Sequence, residues 1–477
     1  MSPWLIVLGA TAVAVALRAP FVASQGLGYE EVFTASIAGH ASIAGVWSAV
    51  KATESTPPLF YVLSWLSVKV FAAGSPAALR AVSLLAGCAL VPVAFLGLRR
   101  VLGVRVALAA AWICAINPWL VGFSIYARSY ALLALVSALS VWALAAVIER
   151  PSRARLAFWV LSAAACLWTH YFGIFVVLAE ASVLLVVLGQ RRRQILVACA
   201  AVGVAFVPLL PLFTSQSGSS ERTQYIGAQP LGGRLGSVIR QFAMGTNVPS
   251  KWLEGAGILL VVGAVLCALV AGRSRREVRL LAAVALIGAG IPILSALSGI
   301  RDDLLARNLL GVWICVAALA AIGLSRLRSL PLALYSALCL ATVLIVQTDW
   351  RYQPADWRGA GEKLVAESRG QPIAVLPGIY VNVAALDMHR APLNATLTST
   401  SLWAMVAPER GPHQRALNAI SSPPLAQLFG GAWRTVAEVD YHGFRLIHLQ
   451  APAPVAISPA PSNNGPASAP DALLLAP

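Results

Sequence analysis

The chain has 477 residues, of which 58% are hydrophobic and only 11% charged, with a formal net charge of +16. Mean hydropathy is +0.76, whereas a soluble globular protein carries about 25% charged residues, so the composition excludes a soluble enzyme and marks a polytopic membrane protein. The basic balance does not imply nucleic acid, because the arginines gather between apolar runs, where cytoplasmic loops collect them.

Apolar runs long enough to approach a bilayer core of roughly 30 Å fall at 4–22, 57–73, 80–98, 105–121, 129–148, 155–169, 171–189, 194–213, 255–272, 278–298, 307–324 and 331–347. The first is long enough to span, so no cleavable signal is needed. After residue 98, alternate short loops hold Arg99, Arg100 and Arg105, then Arg150, Arg153 and Arg155, then Arg191 to Arg193, then Arg273, Arg275, Arg276 and Arg279, and last Arg326 and Arg328. The positive-inside rule puts all of these on the cytoplasmic side. An outward first span then leaves 57–73, which opens Pro57-Pro58 and carries Lys69, as an interfacial or re-entrant helix; the alternative is twelve spans with the N-terminus outside and Glu30 and Glu31 in the cytoplasm. The expected fold is a polytopic all-α membrane protein of about 11 transmembrane helices plus that interfacial helix. The transmembrane module is residues 1–347, and its first outer loop is 23–79.

Residues 348–450 are more polar and change pattern. Asp356-Trp-Arg-Gly-Ala-Gly-Glu-Lys-Leu-Val reads as a capped amphipathic helix. Pro372 to Leu376 reads as a strand, and Thr435–Tyr441 and Phe444–Leu449 read as a hairpin around His442-Gly443. This is a small α/β domain placed outside the cytoplasm, followed at 451–477 by a Pro/Ala-rich segment that reads as a disordered tail. The seven cysteines all lie in apolar runs and read as small buried hydrophobes.

On this topology the outer face collects the residues that carry chemistry. Glu30 and Glu31 follow the first run; a bland reading makes them an N-terminal helix cap. Adjacent helix positions point about 100° apart, so one carboxylate would face a substrate while the other orients it. Arg80, Arg128 with Tyr130, His170 with Tyr171, and the group Arg301, Asp302, Asp303 and Arg307 sit at outer ends of runs. Singly, an arginine there snorkels to the headgroups and the aspartates pair with Arg301 or Arg307. Together, cations and a carboxylate at one membrane face fit a phosphate-bearing lipid, held by arginine forks, with a carboxylate as base for an attacking hydroxyl. There is no dinucleotide or P-loop glycine motif, no Cys-x-x-Cys and no His-Glu-x-x-His. The Asn394-Ala-Thr396 sequon is a common three-residue match.

The ordered series of these segments resembles the GT-C superfamily of polyprenyl-phosphate-sugar-dependent glycosyltransferases. The branch it is most similar to holds the bacterial relatives of dolichyl-phosphate-mannose protein mannosyltransferases and lipid A aminoarabinose transferase. Leu27-Gly-Tyr-Glu-Glu-Val-Phe-Thr34 resembles the Asp-Glu motif of the first outer loop. Glu54-Ser-Thr-Pro-Pro-Leu-Phe-Tyr61 resembles the following Asp-x-His-Pro-Pro segment, with Thr56 in place of the histidine. Arg80-Ala-Val-Ser83, Ser124 to Tyr130, Thr169-His-Tyr171 and Arg307 complete the series. The first acidic residue is Glu30 where the family usually has Asp.

The resemblance implies an inverting transfer of a mannose- or arabinose-like sugar from a polyprenyl-phosphate carrier to an acceptor hydroxyl at the outer face of a bacterial cytoplasmic membrane. The acceptor is a glycan, lipid or protein. It implies Glu30 and Glu31 as the catalytic pair, and Glu54, Arg80, Arg128, Tyr130, His170, Tyr171 and Arg307 as substrate-binding residues, with no metal or other cofactor. A flippase for lipid-linked sugars is the alternative. It would place polar groups near the middle of spans, yet 255–272 and 331–347 are almost bare.

Overall fold

The computed structural model describes residues 2–71, 75–217, 224–227, 229–299, 302–326, 330–353, 355–376, 384, 388, 396–407, 429, 432–457 and 473–475. Arg301 and most of the sequon lie outside these. By its internal contacts the chain divides into one unit of residues 1–23 and 33–347 and a second of 24–32 and 348–477.

The first unit is helical. Among the described residues, eight helices are long and apolar enough to cross a membrane, or nine if the bent pair Val104–Ile116 and Pro118–Ser124 counts as one. They match the apolar runs closely. The 57–73 run forms Leu59–Val70, 12 residues, which at 1.5 Å per residue reaches about 18 Å, short of a bilayer core. The runs at 155–169 and 171–189 form Arg153–Thr169 and Gly173–Val187, 17 and 15 residues. The helix at Ala306–Leu324 is the axis of the bundle. Its apolar window is 89% buried, against 22% for Lys251–Ala271 and Arg276–Ser298, whose exposed leucines face outward. Cysteines 114, 166, 315 and 339 are buried, and Cys88, Cys199 and Cys267 are partly so; all are free.

One buried acid lies inside the bundle. Glu180 accepts from Ser140 Oγ and from Trp159 Nε1 at 2.8 Å, so a single carboxyl ties three helices together by polar bonds, as membrane bundles often do. The outer loop 23–79 and the stretch between the runs ending at 213 and beginning at 255 are not wholly irregular. The structure adds helices there: Tyr29–Ala38, Ile43–Thr53 and the amphipathic Leu231–Met244.

The second unit contains a five-stranded sheet: β1 Ile373–Leu376, β2 Leu397–Val406, β3 Arg434–Tyr441, β4 Phe444–Ile457 and β5 Leu473–Leu475. Their order is β3-β4-β2-β1-β5, with β1 and β2 parallel and the other pairs antiparallel. The hairpin turns at His442 and Gly443, both at positive φ (46° and 84°), as a two-residue turn of this hand requires. Helix Trp357–Ser368 is capped by Asp356, which accepts from Gly359 N at 3.0 Å. The strands run past residue 450: β4 continues to Ile457 and β5 adds a further strand. The segment read as a tail therefore contributes to the sheet, and residues 458–472 lie outside the described set.

Candidate active site

The polar residues of the first unit gather around the short segment 125–129, between helices Pro118–Ser124 and Tyr130–Glu149. Three side chains hold its backbone or its arginine. Thr34 Oγ1 donates to the Ala127 carbonyl at 2.9 Å, and Ser83 Oγ donates to the Arg128 carbonyl at 3.2 Å. Arg128 then reaches Glu54, which ends helix Ile43–Thr53, with Nη1 to Oε1 at 2.7 Å and Nη2 to Oε2 at 3.0 Å. The two side chains are 11% and 4% exposed, so this is a buried bidentate fork using two of the guanidinium's five N–H donors. The Tyr61 ring lies 5.9 Å from the guanidinium, and its hydroxyl bonds the Thr56 hydroxyl at 2.8 Å. Thr56 therefore anchors an aromatic neighbour of Arg128.

Arg80 and Ser83 share a face of helix Pro76–Leu102, three residues apart. Arg80 is fully buried and donates to the Val22 carbonyl at 3.1 Å. Gly87, one turn further, is glycine because a Cβ there would overlap the Ser124 hydroxyl. This helix thus fits its small and polar face against the segment that carries Arg128.

His170 caps helix Arg153–Thr169 and is 3% exposed. Its Nδ1 accepts from the Phe172 N–H at 3.2 Å, which puts the ring proton on Nε2. That N–H has no hydrogen-bond partner among the described residues. Burial, with the positive charges of Arg128 and Arg307 adding to it, pushes its pKa down to about 3. The sequence reading had counted His170 with the cations; without a bound anion it is a neutral donor. Tyr130 is buried beside it, with ring centroids 5.9 Å apart. Since the folded state prefers the neutral ring, its contribution is complete above the ordinary value of about 6.5 and is lost as the pH falls from there towards 3. Thermal melts should therefore show the protein losing roughly 1 kcal/mol per pH unit below 6.5, and His170→Gln should remove that slope; an equal slope in the variant would assign it to other groups.

The structure separates some residues from this group. Tyr171 turns to Gln216, donating to its Oε1 at 2.8 Å, while Gln216 Nε2 donates to the Val50 carbonyl at 3.0 Å. Its ring packs on Phe213 at 5.0 Å. Tyr171 is thus engaged in holding loop to helix. Asp302 pairs with Arg234, whose Nη2 donates to Oδ2 at 2.7 Å; that bond holds its carboxyl below the usual carboxylate range.

Glu30 and Glu31 belong to the second unit. They open helix Tyr29–Ala38, and Glu31 Oε2 accepts from Gly28 N at 2.8 Å. Glu31 is fully buried and serves the helix N-terminus as a capping carboxylate does. Glu30 is half-buried. Among the described residues no three His, Cys, Asp or Glu side chains converge as a metal set. Sequence reasoning missed Thr34, Gln216, Arg234, Arg18 and Asn117. Arg18 alone carried a signal, as a charge at the end of an apolar run.

No family model and no curated protein matches the chain. Solved structures do. ArnT (lipid A aminoarabinose transferase) from Cupriavidus metallidurans in the apo state is 14% identical, with 93% of this chain and 97% of that one covered, at a TM-score of 0.59. The same protein bound to undecaprenyl phosphate gives 13% identity, the same coverage and a TM-score of 0.57. The Archaeoglobus fulgidus oligosaccharyltransferase in complex with Zn and sulfate is 14% identical over 80% of this chain and 61% of that one, at a TM-score of 0.50. The chain has the GT-C fold.

Proposed function

We propose that this protein is a membrane glycosyltransferase that moves a sugar from a polyprenyl-phosphate carrier to an acceptor hydroxyl. The observation that carries the reading is the group around Arg128. A GT-C fold gathers a largely buried arginine fork, a neutral histidine whose ring N–H has no partner among the described residues and the charge of Arg307, in the chain order that the sequence motifs follow. ArnT, which shares the fold, has been solved with undecaprenyl phosphate bound, and that is the chemical class of leaving group these donors suit.

In this mechanism the acceptor hydroxyl loses its proton to Glu30 as its oxygen attacks the anomeric carbon. The bond from that carbon to the phosphate oxygen breaks, and the electron pair leaves on the lipid phosphate, inverting the anomeric centre. Arg128, Arg80 and Arg307 stabilise the charge that develops there, which is where fixed donors contribute most. His170 adds a neutral N–H at Nε2. Glu30 is preferred as base because Glu31 is committed to its own helix end. Glu54 is neutralised by Arg128, which supports a reaction without a divalent metal. The reading places the reaction and residues 348–477 on the outer face of a bacterial cytoplasmic membrane, with a hexose or pentose as donor sugar and a glycan, lipid or protein as acceptor.

The test is transfer in detergent, where no compartments exist. Purified protein is given radiolabelled polyprenyl-phosphate mannose or arabinose and an envelope fraction from a deletion strain. Label should pass to one envelope component with release of polyprenyl phosphate. Translocation in vesicles without transfer in detergent would instead establish a flippase.

A further inference from the structure

Arg18 belongs to no motif, yet its guanidinium is completely buried, and a charge so placed needs identifiable partners. Among the described residues it has no carboxylate partner. Its three bonds all go to backbone carbonyls: Nη1 to Ala14 at 3.0 Å and to Ala115 at 2.7 Å, and Nη2 to Cys114 at 3.2 Å. Those carbonyls are the ones that the chain leaves without helical partners.

The accounting is local. In an unbroken helix the Cys114 carbonyl would receive the N–H of residue 118, but that residue is Pro118 and has none. The Ala115 carbonyl would receive Trp119 N, but Trp119 N and Leu120 N both donate to Asn117 Oδ1, at 3.1 and 3.2 Å. The helix therefore stops at Ile116 and restarts at Pro118, bent by 56°. Asn117 takes the orphaned donors and Arg18 the orphaned acceptors. The Ala14 carbonyl is free because Arg18 N turns to Val15 O at 3.1 Å. The negative ends of two helices, Pro3–Ala16 and Val104–Ile116, thus converge on one cation. The Asn117 amide, within 3.2 Å of the Phe242 and Ala243 carbonyls and the Tyr335 hydroxyl, fixes the restarted helix to the bundle.

We infer that Arg18 is a positioning residue: by closing the break at Ile116–Pro118 it sets the direction of helix Pro118–Ser124 and so the place of Arg128 four residues beyond it. This rests on the glycosyltransferase reading, since Arg128 is the group positioned.

Three variants test it in the detergent transfer assay. Arg18→Met fills the same space without donors and is expected to lower kcat about a hundredfold, the scale of a 1 Å misplacement, with KM for the carrier within about threefold. Arg18→Lys, which keeps a charge but lacks the planar fork, should recover part of the loss. Arg18→Met combined with Pro118→Ala returns an N–H to the Cys114 carbonyl, so its thermal stability should come back while turnover stays low. Wild-type turnover in Arg18→Met would overturn the inference. So would turnover that returns together with stability in the double variant, which would make Arg18 a fold staple only. Absence of transfer by the wild-type protein would instead overturn the glycosyltransferase reading.

Discussion

Glu30→Gln is expected to abolish sugar transfer, lowering turnover roughly a thousandfold, within the range a positioned general base contributes. The substitution keeps the shape and the hydrogen-bonding oxygen but removes the site that would take the acceptor proton. Carrier binding should survive, because the phosphate partners are elsewhere in the sequence. The comparison is Glu31→Gln: a glutamine still offers an oxygen to Gly28 N, the bond Glu31 makes at 2.8 Å, so helix capping is kept and activity should fall only severalfold. Single-turnover release of polyprenyl phosphate, measured for both variants beside carrier retention on the purified protein, decides the matter. Undiminished release in Glu30→Gln would remove Glu30 from the base role, and a reversed pair of results would move that role to Glu31.

The second large effect is on stability and activity together. Glu54 is buried and Arg128 only 11% exposed, and removing one member of such a pair strands the other charge, at a cost of about 3–5 kcal/mol. Arg128→Gln and Glu54→Gln should therefore each lower the melting temperature strongly and with little salt dependence, since buried charges are poorly screened. The double variant leaves two neutral amides and should regain most of that stability. It should not regain transfer, because no cation remains at that position. Transfer at wild-type level in the double variant would exclude Arg128 from the chemistry and leave the fork a structural pair.

The charged residues of the proposed site stand out in the sequence because charges are scarce in this chain and each is conspicuous against the apolar background. The span positions were legible for the same reason. What was illegible depends on long-range pairing. The partner of the Tyr171 hydroxyl, Gln216, lies 45 positions away. Asp302 has a partner in Arg234, 68 positions away, that no local reading reaches.

The end of the second unit misled for a different reason. Pro452 and Pro454 argue against a strand, yet on β4 they fall between Gln450 and Val455, where the pairing with β2 is interrupted. No ladder bond is demanded of the missing N–H groups there, as prolines in sheets require. Glu31 was half legible. A cap was the bland reading of the pair, and the cap turned out to belong to one member of it.

The grouping of residues 24–32 with residues 348–477 has a meaning for biosynthesis. Gly26 lies against the backbone of Trp357 and Arg358, where even a methyl group would come within 3.6 Å of Trp357 N. The stretch that holds Glu30 and Glu31 is made long before the surface that Gly26 lies against. At about 5–20 residues per second, the ribosome needs roughly 15 to 65 s to reach the helix at Trp357 after passing Glu31. Through that interval the earlier helices can insert while residues 24–32 still lack the rest of their unit. Residues 24–32 thus wait for residues from 348 onward to complete their unit.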